Sequence, residues 1–171
     1  CLGREWQCGT IQVDYQLPSA ERLDATYIGA DNQKHHPIML HRAVLGSFER
    51  FLGILIENFA GNFPAWLAFQ QVAMIPVSPA FNDYAEEVMG KLIDAGYRAA
   101  ADLGSDNMKG KIKAAQLQKI PYMLVVGEKE KSEGTVAVRF RDGRPQQVMK
   151  VEDFIAYIKE KVDTHFVGIY F

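Results

Sequence analysis

PYMLVVGEKEKSEGTVAVRF, residues 121–140, decides the fold. Its opening strand, Tyr122–Val126 (YMLVV), is apolar at every position, the pattern of a strand covered on both faces in a parallel sheet. A charged stretch and Gly134 interrupt it. Thr135–Arg141 then alternates in the manner of a strand with one face in water.

Working outward, Met108–Gln118 reads as a Lys-rich helix stopped before Pro121, which can neither donate to a helix nor follow one comfortably. Tyr97–Ala101 and Gln71–Val77 read as strands. Asn82–Ala95 between them is an amphipathic helix with Tyr84, Val88, Leu92 and Ala95 on one face and Gly96 as its stop. Val151–Val162 is a closing helix. Strands alternating with helices predict a compact α/β domain, its mixed, mostly parallel sheet flanked by about three helices.

The first third of the chain has a different rhythm. Trp6–Leu17 reads as a strand ended by Pro18, and Arg22–Ile28 as a second, with a turn at Asp31–Asn32. After Pro37–Arg42, Ser47 is placed to cap a helix along which Phe48, Phe51, Leu52, Leu55, Ile56 and Phe59 recur at helical spacing. These aromatic residues, with Met89, are expected in a core. Gly61 and Pro64 stop the helix, and Asn62–Leu67 is the expected join, giving units at 1–65 and 66–171. The first residue is not Met and leads straight into the alternating Glu5–Tyr15, so the chain is expected to begin inside a larger protein.

The balance of 48% hydrophobic and 23% charged residues is that of a globular chain rather than a disordered one. A net charge of -2 conceals an asymmetry: residues 109–150 hold ten Lys or Arg against four Asp or Glu, so any polyanion is expected at the second half. Two cysteines, Cys1 and Cys8, make no disulfide framework. The expected location is a reducing compartment, cytoplasmic, with a mitochondrial one left open. The longest apolar run is too short to span a bilayer.

Several segments carry a resemblance, in order, across nearly the whole chain. WQCGTIQVD (Trp6–Asp14) resembles a substrate-binding strand of threonyl-tRNA synthetases. HRAVLGSFERFLGILIE (His41–Glu57) resembles their third class II signature motif. AGNFPAWLA (Ala60–Ala68) is similar to their domain junction, and PYMLVVGEKE with GTVAVRFRDG to their anticodon-binding domain. The resemblance implies the C-terminal piece of a class II antiparallel catalytic sheet followed by an anticodon-binding domain. It implies a part in a ligase that activates threonine with ATP and Mg2+ and passes it to tRNA(Thr). The parent is expected to be a homodimer, with no membrane association. The first two class II motifs, the editing domain and two of three zinc ligands find no match here, so the isolated chain is expected to be inactive.

Residue by residue, the resemblance makes Arg50 the motif arginine, able to stack on adenine and hold a phosphate with a planar, permanently charged fork. Arg50 and Gln12 are the candidate catalytic pair. Gln7, Thr10 and Gln12, with Arg50, are expected around ATP and threonine, where amides supply both donors and acceptors. His41 matches one ligand of a Zn2+ that would bind threonine's amino and hydroxyl groups; Cys8 does not match the zinc cysteine. Ser105, Lys119, Glu130 and Arg139 match positions that read the anticodon, where carboxylate and guanidinium suit base edges. Ser105 and Lys119 stand where the bacterial pattern has Asn and Arg, and Phe69 where it has Pro. Taken without the resemblance, each has a plainer reading. His41 is then a surface or hydrogen-bonded histidine, Arg50 a helix residue paired with Glu49 or Asp14, and the glutamines one solvent face of a strand. Lys109, Lys111, Lys113 and Lys119 become a solvated helix face. Two other functions stay open: a stand-alone tRNA-binding module, and a synthetase-like paralogue without ligase activity.

Overall fold

The computed structural model describes residues 3–167. The residues group into two compact units, Cys1–Asn58 and Phe59–Phe171.

In the first unit, β1 (Thr10–Asp14) pairs antiparallel with β4 (Met39–Ala43), in register from Thr10 opposite Ala43 to Asp14 opposite Met39. Between them β2 (Tyr27–Ile28) and β3 (Lys34–His35) form a short antiparallel pair. The expected strand from Trp6 to Leu17 is thus only five residues long. Asp14 ends it: its carboxylate accepts from the N–H groups of Gln16 at 2.8 Å and Leu17 at 2.9 Å, an Asx-turn that bends the chain out of the ladder. The expected strand at Arg22–Ile28 shrinks likewise, because Arg22 and Asp24 both donate to the Ser19 carbonyl and Asp24 takes φ +45°. The His36 ring nitrogen Nδ1, 3.1 Å from the Pro18 carbonyl and 2.9 Å from that of Ala25, fastens this loop.

Helix α1 (Phe48–Phe59) starts where Ser47 caps it: the Arg50 N–H donates to Ser47 Oγ at 3.3 Å. No α1 residue is buried. Phe48, expected in a core, is 88% exposed, while Phe51, Leu55 and Phe59 on the same face are half-buried.

The second unit is a five-stranded sheet of order β6-β5-β7-β8-β9, from β5 (Val72–Pro76), β6 (Ala99–Ala101), β7 (Tyr122–Val126), β8 (Thr135–Phe140) and β9 (Gln147–Lys150). The first three are parallel, and β8 and β9 join antiparallel, so the sheet is mixed. Helices α2 (Asn82–Asp94) and α5 (Val151–Asp163) contribute Val88, Leu92, Phe154 and Ile158 to the core on one face, against Val72, Met74, Leu124 and Val138. Helix α3 (Met108–Leu117) covers the other, its Ile112 and Ala115 meeting Ala73, Ile75, Met123 and Ala137. Every residue of β5 and β7 is buried. β8, expected to show one face to water, has Val136, Ala137 and Val138 all buried, because α3 shields the face that alternation assigned to solvent. A short helix α4 (Glu128–Glu133) links β7 to β8.

Helices α2 and α3 end alike. Tyr97 N–H bonds to the Leu92 carbonyl and Gly96 N–H to that of Ile93; Ile120 and Lys119 repeat the pair on Ala115 and Gln116. Both are Schellman caps. The left-handed position is a glycine in one, Gly96 at φ +90°, and a lysine in the other, Lys119 at φ +58°.

Candidate functional site

On the ribbon, Gln12 sits directly opposite His41, and cross-strand partners share a face with Cβ atoms about 5 Å apart. The period of two puts Thr10 and Asp14 on that face as well. Gln7 joins them, its amide donating to Thr10 Oγ1 at 2.9 Å. The Asp14 carboxyl lies below the usual carboxylate range, held there by the N–H groups of Leu17 and Gln16, with His41 adding to the effect. The Arg50 guanidinium lies 5.1 Å from the centre of the Trp6 ring rather than on Glu49 or Asp14. The structure thus brings Gln7, Thr10, Gln12 and His41 together, with Arg50 stacked on Trp6. His41 has no companions for a zinc ion: among the described residues no three His, Cys, Asp or Glu side chains gather as a metal cluster. The donors present do not close a zinc site, which takes at least three protein ligands.

In the second unit the four candidate RNA-reading residues fall into two pairs. Ser105 follows β6 and Glu130 lies in α4 after β7, so both stand at the C-terminal end of the parallel strands. Lys119 precedes β7, and Arg139 is opposite Met123 near the start of that strand, so both stand at the other end. Ser105 and Lys119 flank α3, whose ten residues span about 15 Å. Arg139 shares with Met123 the sheet face that α3 covers, and its guanidinium reaches Gln146 Oε1 at 3.4 Å. Glu130 is half-buried, one carboxylate oxygen accepting from the Gly127 N–H at 3.0 Å, which fixes its direction and leaves the other oxygen for a ligand. Lys119 is turned inward, its Nζ donating to the Ala60 carbonyl.

That last bond belongs to a set the sequence did not reveal. Arg141 donates to the carbonyls of Phe63 and Asn62 at 2.9 and 3.3 Å. Arg98 donates to those of Ala68 and Trp66 at 2.9 and 3.1 Å. The buried Gln71 donates to that of Ala65 at 2.9 Å, and its side-chain oxygen accepts from Arg98 N–H. Residues 60–68 are therefore pinned carbonyl by carbonyl to the sheet that follows. The one available signal was Gln71, a polar side chain opening an otherwise apolar strand. The lysines of α3 also divide. Lys109 and Lys113 are exposed, whereas Lys111 is buried, with Nζ 2.7 Å from the Asp102 carbonyl.

Comparison with known families agrees with this division. The family described as "Anticodon binding domain" matches residues 71–161. The chain belongs to the anticodon-binding-domain family. Residues 1–59 match the family described as tRNA synthetase class II core domain (G, H, P, S and T). The chain is 54% identical over 163 residues to a threonine–tRNA ligase of Treponema pallidum, covering 95% of this chain and 27% of that protein. With a threonine–tRNA ligase of Thermus thermophilus the identity is 59% over 140 residues, 82% of this chain and 21% of the relative. The crystal structure of the RNA binding domain of threonyl-tRNA synthetase from Cryptosporidium parvum superimposes with a TM-score of 0.82 at 33% identity, over 94% of this chain and 40% of that one. The chain spans about a quarter of the length of the curated relatives it matches. No helix of the described residues is long and apolar enough to cross a membrane.

Proposed function

We propose that this chain is the part of a threonine–tRNA ligase that holds anticodon recognition in its second unit and a strip of the activation site in its first. The observation that carries the reading is the anticodon-binding domain, packed on both sheet faces, with Ser105, Glu130, Lys119 and Arg139 at the two ends of the face under α3. A strip of that length suits several splayed nucleotides rather than one, and loop bases offer their edges to such side chains. Glu130 accepts from a base amino group through its remaining oxygen. Arg139 donates in pairs or stacks.

On the ribbon, Gln7, Thr10 and Gln12 orient threonine and ATP by hydrogen bonds. Arg50, held flat by Trp6, neutralises phosphate charge and stacks on the adenine, and the Mg2+ arrives with the nucleotide. His41 is offered as one donor to a Zn2+ whose remaining ligands lie outside the described residues. In the reaction the threonine carboxylate attacks the α-phosphorus of ATP, giving threonyl adenylate and pyrophosphate. A terminal ribose hydroxyl of tRNA(Thr) then takes the threonyl group and releases AMP. The chain alone is expected to form no adenylate, and detection of threonyl adenylate made by the isolated chain would overturn this.

The test is titration of the chain with tRNA(Thr) transcript at one stated salt concentration, comparing wild type with Arg139→Ala and Glu130→Gln. Each variant loses about five- to a hundred-fold in affinity for the native anticodon, and much less for a transcript with the anticodon replaced. Equal losses on both transcripts would reduce these residues to general phosphate contacts, and the reading would fail.

A further inference from the structure

Two cavities of the second unit, of about 300 and 290 Å³, share Gln70, Gln118 and Ile120 along their border and so form one groove beside the C-terminal end of α3. One half is a slot lined mainly by small side chains, Ala73, Ala100 and Ala101 from the sheet edge and Ala114 and Ala115 from α3. Lys111 and Asp102 close its end. The Lys111 ammonium is buried, and the Asp102 backbone carbonyl takes one of its three donors; the Asp102 carboxylate stands 4.0 Å away. The other half contains Lys119 and two aromatic rings, Phe63 and Phe69, which meet edge to face at 6.3 Å between centroids. Phe69 is 77% exposed, although its ring is braced by Phe63. Gln70 commits its amide nitrogen to the Val72 carbonyl at 3.0 Å, so what it offers a ligand is an acceptor.

We propose that this groove is a binding subsite for unpaired RNA, separate from the four anticodon-matching positions except for Lys119 at its margin. One base stacks on Phe69, and its neighbour enters the alanine slot with a carbonyl or phosphate oxygen toward Lys111. A braced, exposed aromatic ring next to a slot with thin walls is how single strands are held, since every base has a π-face and a flat body. Charge selects the same occupant. The groove's cations are Lys111 and Lys119, and its one carboxylate, Asp102, lies beside Lys111. The larger cleft bounded by α2, α4 and α5 instead sets Asp83, Glu87, Glu133 and Glu152 against Lys91, Lys131 and Lys150, an excess of one negative charge where the groove has an excess of one positive. The inference rests on the RNA-binding reading given above, and deepens it by naming Phe69 and Lys111 as contacts.

The experiment is fluorescence anisotropy of the full chain with a labelled anticodon stem-loop of tRNA(Thr) at fixed salt, for wild type, Phe69→Leu, Phe69→Trp and Ala114→Leu. Phe69→Leu keeps the apolar bulk on an exposed site and loses the π-face, so affinity falls about five- to a hundred-fold. Phe69→Trp binds as tightly as wild type or tighter. Ala114→Leu, at a solvent-exposed position on the slot wall, leaves the melting temperature unchanged and weakens binding by narrowing the slot. If wild type binds and discriminates anticodons while Phe69→Leu and Ala114→Leu remain within twofold of it, the groove is no RNA subsite and belongs to a protein contact or to none. If wild type does not bind the stem-loop at all, the RNA reading falls and takes the groove with it.

Discussion

β1 and β7 are both strands of five residues, yet none of β1 is buried and all of β7 is. The difference extends to their units. Apart from Pro18 and Pro64, every buried apolar side chain among the described residues lies at or beyond Ala65. The first unit instead exposes Ile11, Val13, Leu40, Val44 and Phe48, each by half or more. Exposed apolar surface of that extent is characteristic of contact sites rather than of free surface. The second unit is a finished domain: two cores on one sheet, and a leading segment whose carbonyls are taken up by Lys119, Arg141, Arg98 and Gln71. Chemistry follows the same line. The ribbon displays polar side chains in register but closes no site, whereas the sheet holds a complete set of edges and a groove.

The largest expected effect is on hydrogen exchange. In the full chain, amides of Val72–Ile75 and Tyr122–Val126 exchange only through global unfolding, and those of Thr10–Asp14 exchange orders of magnitude faster, because little apolar burial opposes local opening there. Equal protection would erase the contrast. Point substitutions sharpen it. Phe154→Ala, at a fully buried ring, costs about 3–5 kcal/mol in denaturant unfolding. Phe48→Ala, at a ring 88% exposed, costs less than about 0.5 kcal/mol. Gln71→Ala strands the Ala65 carbonyl and the Arg98 N–H and costs about 1–3 kcal/mol.

A pH-dependent effect concerns Tyr84, whose hydroxyl donates to the Thr135 carbonyl at 2.8 Å. Burial first, then Glu87, pushes its pKa above the ordinary 10.0. The folded state therefore favours the neutral phenol. The contribution is complete below about pH 10 and is lost as pH rises through the raised folded value. Tyr84→Phe costs about 1 kcal/mol at neutral pH and flattens the alkaline limb of a melting-temperature profile.

The sequence made the second unit legible wherever pattern and burial coincide. The apolar run at 122–126 and the stop at Gly96 required nothing beyond their neighbours. Helix α4 was not legible, because five charged residues and a serine between two strands show no periodicity and the helix is fixed by Glu130 reaching back to Gly127. In the first unit the strand pattern ran past its true end, since alternation does not register an Asx-turn at Asp14. Grouping of Thr10, Gln12 and His41 followed from the period of two once the register with β4 was known, whereas Gln7 joins through its hydrogen bond to Thr10. The inward turn of Lys119 could not be read, because its partner is 59 residues away and a left-handed lysine resembles any other lysine in sequence. Which lysine of α3 turns inward was not legible for the same reason: burial of a long cationic side chain such as Lys111 depends on which carbonyl lies within its reach.

The central claim is that recognition of the anticodon resides in the second unit. The direct measurement is binding of residues 59–167 alone, beside the full chain, to tRNA(Thr) and to a transcript with its anticodon replaced, at one stated salt concentration. The account predicts the same preference for the native anticodon in both proteins. A preference that vanishes when residues 3–58 are removed, or that neither protein shows, would contradict it.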